Sequence, residues 1–264
     1  MAAPVPFPLI PEPPSPRDPV WTGWDVLVIA LMTIGTIFVF ELLTITGAWL
    51  LLRSHETFRD VMQKPALDLL GEFLAYLAVA AFMIMLVENK YGVRFWQAIR
   101  WNWPSPRTRV LALGLLGMFT ISLDLIGRYL PMPKTSPFDE FFAHPRDAYL
   151  IAAFAVTLGP LMEELFFRGF LYPVLVRRTG MISAVLLTAL PFGMMHYLQY
   201  RSWAAVLVIT LVGIVLTAVR AVTESVAASF IVHVGYNATL MMLAAIATDG
   251  FRHMDKVSVI LSHI

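Results

Sequence analysis

The sequence predicts an all-α fold, a polytopic transmembrane helix bundle of about seven spans (or eight), and three observations carry that reading. Hydrophobic residues make up 58% of the 264-residue chain and charged residues only 14%, against about 45–50% and about 25% in an ordinary soluble domain. Mean hydropathy is +0.72. The apolar residues fall into long runs joined by short polar connections, without the period-two alternation of an outer-membrane barrel strand. This composition excludes a disordered chain and argues against a soluble globular enzyme. A net charge of +1 supplies no basic field for a nucleic acid. The lack of cysteine removes disulfides, thiolate metal ligands and a thiol nucleophile.

A hydrocarbon core about 30 Å thick needs about 20 mostly apolar residues per helix. The first 19 residues hold eight of the chain's 18 prolines, which favours an extended tail and excludes a helix. With one basic residue, Arg17, and no continuous apolar core before Trp21, this tail does not read as a cleavable signal peptide. The first span is therefore expected to remain as an uncleaved anchor. That span, 26–52, carries one charge, Glu41, and the second, 69–87, carries Glu72. The third, 110–130, holds Asp124 and Arg128 four residues apart near its end, a structural pair. The fourth, 148–176, contains Glu163, Glu164 and Arg168. The fifth, 181–198, has His196 as its one ionisable group apart from tyrosine, the sixth, 203–219, has none, and the seventh, 226–247, has His233.

The connection 94–103 mixes Trp96, Trp101 and Trp103 with Arg94 and Arg100, the composition of a segment lying at the headgroup level. Arg177 and Arg178 read as anchors that reach the headgroups. Glu224 reads as an acid at the start of the last span. The expected organisation is a proline-rich tail at 1–20, N-terminal spans with an interfacial loop at 21–147, a core at 148–247 and a C-terminal tail at 248–264. Lysines and arginines divide evenly between the two sides, and the dense cluster between the second and third spans favours a cytoplasmic N-terminus.

An ionisable side chain in a bilayer costs about 2.5–3.5 kcal/mol on insertion scales, so those in the fourth, fifth and seventh spans demand a reason. Glu164 and Arg168 share a helical face, acid N-terminal to base, the favourable order for an ion pair. Glu163 is turned about 100° from Glu164 and is free for another role. His196 follows Pro191, which predicts a kink, and Gly193, which allows a neighbouring helix to approach closely. His233 and Asn237 are four residues apart and point the same way. Alone, Glu163, Glu164 and Arg168 also read as a charge cluster that only ties helices together, His196 as an interfacial histidine, and His233 with Asn237 as an interhelical clamp. Together they form a carboxylate, two imidazoles, a carboxamide and an ion pair, the inventory for activating a water and stabilising an oxyanion. The chain lacks His-Glu-x-x-His and Gly-x-Ser-x-Gly, which removes the common zinc-protease helix and weakens serine chemistry.

Glu-Glu-x-x-x-Arg, Phe-x-x-x-His and His-x-x-x-Asn, each on an apolar span and in this order, resemble the CAAX protease and bacteriocin-processing (CPBP) family. That family includes the Ras-converting CAAX endoprotease and the Abi proteins. Gly159-Pro160 before the acids and Phe167-Arg168-Gly169-Phe170-Leu171-Tyr172-Pro173 after them fit the same family. The resemblance covers residues 148–240, with no departure at the motif positions. It implies an intramembrane endopeptidase in which Glu163 activates water, His196 shares that water, Glu164 and Arg168 support the site, and His233 and Asn237 stabilise the oxyanion. It also implies one of two mechanisms, a matter disputed for the family. Either Glu163, His196 and His233 hold Zn²⁺ with one position open to water, or the glutamate acts without metal; the residue types suit both. The implied partners are the lipid bilayer and a membrane-anchored or lipidated peptide or protein substrate, with no nucleic acid. The compact chain and the lack of targeting signals lead to the expectation of a bacterial inner (plasma) membrane. The alternative is a non-catalytic immunity or scaffold protein that uses the same polar core for binding.

Overall fold

The computed structural model describes residues 18–52, 57–106, 130, 141–142 and 144–253. Among them every regular element is helical. Six helical segments are long and apolar enough to cross a membrane by length and composition. They correspond to the first, second and fourth to seventh spans read from the sequence. The third, 110–130, with Asp124 and Arg128, lies outside the described residues apart from its last position.

Helix α1 (Gly23–Leu52) packs along α3 (Pro65–Met85), with the short α2 (Phe58–Met62) between them in the chain. Their close approach depends on Gly71, where a Cβ would stand 2.8 Å from the Glu41 Cα. A π-helical turn, Leu86–Lys90, ends α3, and α4 (Phe95–Ala98) follows in the tryptophan-rich connection. There Trp96, Trp101 and Trp103 meet edge to face, and Trp101 packs on Phe230.

The fourth span is one 35-residue run, Pro145–Thr179, but not one α-helix. Helix α5 (Pro145–Val156) stops at Thr157, because Pro160 lacks the N–H that would bond the Val156 carbonyl and its ring crowds that carbonyl. Helix α6 (Leu158–Glu163) then runs into a π-helical segment, Glu164–Leu171, and on to α7 (Tyr172–Thr179). π-Helical backbone is rare and concentrates at functional sites. Within it, the Tyr172 N–H bonds the Phe167 carbonyl. The next such bond, from residue 173 to the Arg168 carbonyl, cannot form because residue 173 is proline. The Arg220 side chain supplies the donor instead, its Nε 3.3 Å from the Arg168 oxygen.

Gly180, with φ +79°, turns the chain from α7 into α8 (Met181–Met195). The short α9 (Tyr197–Tyr200) leads to α10 (Trp203–Thr223) and α11 (Val226–Ala247). Ser202 and Ser225 cap the last two helices through backbone N–H groups three residues on. Glu224 immediately precedes Ser225, the cap of α11. It ends α10 in the left-handed conformation and pairs with Arg100 at 2.6 Å.

Two apolar cores flank the π-helical segment. Leu165 and Phe170 enter one, with Trp21, Ile29, Met83, Phe95 and Ile99. Phe167 enters the other, with Phe192, Val212, Leu216 and Val232. The Trp21 indole N–H donates to the Phe170 carbonyl at 3.0 Å, tying the entry to α1 to this segment. Phe251, just beyond α11, is buried against Phe142 and Tyr149.

Candidate active site

The junction of α6 with the π-helical segment places Glu163 and Glu164 side by side in the chain and facing different partners. Glu164 and Arg168 are fully buried and meet at 3.0 Å. Arg168 is also held by its Nη2 on the Gly213 carbonyl at 3.0 Å and its Nε on the Thr217 hydroxyl at 3.2 Å, while the Phe192 ring lies 4.5 Å from its Cζ. Each of its three nitrogens thus has an acceptor, and the charge is shared between a carboxylate, a backbone carbonyl and an aromatic face. The second Glu164 oxygen, Oε2, is buried without a hydrogen bond.

The Glu164 oxygen that meets Arg168 also meets His233 Nδ1, at 3.0 Å. Since that carboxylate is paired with a guanidinium, the imidazole nitrogen is the donor. His196 stands at the C-terminal cap of α8, and its Nδ1 lies 2.8 Å from the Phe192 carbonyl. A carbonyl only accepts, so here too Nδ1 carries the proton. Both rings therefore turn Nε2 toward Glu163. His196 Nε2 is 3.7 Å from Glu163 Oε1 and His233 Nε2 is 3.5 Å from Glu163 Oε2. Glu163 and His196 keep 16% and 15% of their side-chain surface exposed, against 4% for His233. Entry to the site is thus from the Glu163–His196 side. Three helices converge here because α8 and α10 pack at backbone contact: a Cβ on Gly193 would be 2.9 Å from the Val206 carbonyl.

Asn237 lies one turn beyond His233 on α11, and its Nδ2 donates to the Ala155 carbonyl at 2.7 Å. That carbonyl is among the last of α5 and has no partner within its helix, so Asn237 clamps α11 to α5 with at least one amide hydrogen. Thr217 and Gly213 were not singled out by sequence reasoning, and Phe192 only as the first residue of the Phe-x-x-x-His motif, although all three touch Arg168. A Gly and a Thr four apart in a span without charge was the available signal.

A zinc ion would need Glu163, His196 and His233 turned on a common point. Among the described residues no group of three or more His, Cys, Asp or Glu is arranged to hold a metal ion. Glu163 instead meets the two imidazoles separately, one through each oxygen. The three residues form a carboxylate between two oriented imidazoles, with separations that a bridging water suits better than a direct hydrogen bond.

Residues 145–239 match the model of the type II CAAX prenyl endopeptidase Rce1-like family, a family of proteases. The match spans every residue of the site, from Glu163 to Asn237. No curated protein and no solved structure matches the chain.

Proposed function

We propose that this membrane protein is an intramembrane endopeptidase of the CAAX type, working through a glutamate-activated water. The observation that carries the reading is the Glu163 carboxylate flanked by the Nε2 atoms of His196 and His233 at 3.7 and 3.5 Å. The substrate is a membrane-tethered peptide, with a prenylated C-terminal segment as the class to test first, and the setting is a bacterial inner (plasma) membrane. A water held by Glu163 and His196 gives a proton to Glu163 as its oxygen attacks the scissile carbonyl. The developing oxyanion takes a hydrogen bond from His233. Glu164 fixes that ring through Nδ1, and His233 acts as a donor from Nε2 in its doubly protonated form. Arg168 pairs with Glu164 and holds it in place. Glu163 then returns its proton to the leaving amine. The roles are those of a general base, a water-orienting base, an oxyanion donor and a supporting pair, with Asn237 as a second donor to the oxyanion.

The test is cleavage of a panel of prenylated and unprenylated peptides by the purified protein in lipid. Glu163→Gln keeps the shape and removes the base, so turnover should drop by about 10²–10⁴. The protein should still fold and insert, because a carboxamide is easier to bury than a carboxylate. A strong chelator should leave turnover unchanged. Inhibition reversed by Zn²⁺ would replace the glutamate mechanism with a metal one. Full biological function of Glu163→Gln in cells would instead favour the non-catalytic immunity or scaffold role.

A further inference from the structure

A cavity of about 250 Å³ lies one helical turn from Arg168, walled by Asp18, Arg100, Tyr172, Met181, Arg220 and Glu224 among others. Its charges are unevenly matched. Arg100 holds both acids, Asp18 through one terminal nitrogen and Glu224 through the other. Arg220 is 96% buried by its 4% exposure. It spends Nε on the Arg168 carbonyl, and among the described residues its terminal nitrogens make no hydrogen bond or ion pair. Those nitrogens are not sealed in the protein, and the open space beside Arg220 is this cavity. Arg177, next in the chain to the lining residue Val176, donates to the carbonyl of Pro19, another lining residue, at 2.9 Å. A planar guanidinium with free N–H groups in a walled pocket is a receptor for a tetrahedral oxyanion.

The surroundings say where that anion comes from. Met181 lines the cavity and is half exposed, and Ile182 and Val222, beside lining residues in the chain, are 75% and 81% exposed. The tryptophans of the α4 connection stand at the same corner, because the Val226 N–H bonds the Arg100 carbonyl at 3.1 Å. Exposed aliphatic residues beside a buried cation and a tryptophan belt match the boundary between acyl chains and headgroups.

We propose that this cavity binds the phosphate of an anionic phospholipid, gripped by Arg220, with the acyl chains over Met181, Ile182 and Val222. The site is separate from the proposed chemistry at Glu163. Because Arg220 also holds the Arg168 carbonyl, the bound lipid braces the π-helical segment.

The full chain, purified and delipidated in detergent, is titrated with phosphatidylglycerol or phosphatidylcholine and read by native mass spectrometry. One phosphatidylglycerol should be retained per chain in preference to phosphatidylcholine. Retention should fall about tenfold or more in Arg220→Met, which removes a charge-assisted pair, and in Ala221→Phe, which narrows the cavity and keeps every charge. Glu163→Gln should retain lipid as the parent does, whatever its turnover. Should Arg220→Met fail to fold, Ala221→Phe decides. Equal retention of the two lipids, or undiminished retention in the folded variants, would overturn the proposal. So would displacement of the lipid by millimolar inorganic phosphate, which would give the cavity to a soluble anion.

Discussion

At the scale of single residues, Arg168 joins more structure than any other polar side chain in the site. It binds Glu164 on its own segment and both Gly213 and Thr217 on α10, without contact with water. Arg168→Ala strands the Glu164 carboxylate, which already has one unpartnered oxygen. Removing one member of a buried pair costs about 3–5 kcal/mol, so the variant should lose folded protein together with activity. Thermal unfolding in detergent checks it, and a variant as stable as the parent would make the pair peripheral. Asn237→Ala separates two roles. Loss of its bond leaves the Ala155 carbonyl unpaired, worth about 1–3 kcal/mol. A lost oxyanion donor lowers kcat by about 10²–10³ with little change in KM. Both effects are expected; a stability loss with unchanged kcat would leave Asn237 as a clamp between α5 and α11.

At the scale of elements, the site depends on how closely α8 and α10 approach. A Cβ at Gly193 would lie 2.0 Å from the Thr210 hydroxyl oxygen and 2.9 Å from the Val206 carbonyl. The threonine can rotate away, but the carbonyl is fixed in its helix. Gly193→Ala should cost about 1–3 kcal/mol by overpacking. It should also slow turnover, because His196 is three residues further along the helix that must move. Unfolding and turnover measured together test this, and an unchanged melting temperature would show that the helices are free to part. The close approach at Gly193 was legible in the sequence, as was the Glu164–Arg168 pair, since spacing four brings side chains together on a helix. The π-helical segment was not. No hydrophobic period marks an i→i+5 bond, and Pro173 signals only a missing donor. The partners of Arg168 and Asn237 were hidden for a related reason. Each includes a backbone carbonyl on another helix, at Gly213 and Ala155, and sequence pattern carries no information about which carbonyl will lie opposite. The Arg100 partner of Glu224 was hidden for a similar reason, because the corner between α10 and α11 is set by the left-handed backbone there and by Arg100 across the tryptophan connection.

At the scale of the whole molecule, the question is which solvent the outer face meets. On α1 the residues Leu31, Ile34, Phe38 and Leu42 are exposed, Phe38 to 67%, and only 11% of the span's most apolar window is buried inside the protein. A soluble chain with such a surface would associate through it, whereas in lipid the same face is solvated. The two environments give opposite answers to a charge placed there. Phe38 is near the middle of α1. Phe38→Arg would cost about 2.5–3.5 kcal/mol in a bilayer, but would be nearly neutral on a water-exposed helix. Leu51, near the end of the same helix and 84% exposed, supplies the internal control, because an arginine there can extend to the headgroups. Membrane-integrated protein should therefore fall sharply for Phe38→Arg and stay close to the parent for Leu51→Arg, measured as the fraction resisting alkaline extraction. Equal yields for the two variants would mean that α1 does not face lipid, and the intramembrane setting of the Glu163 site would lose its support.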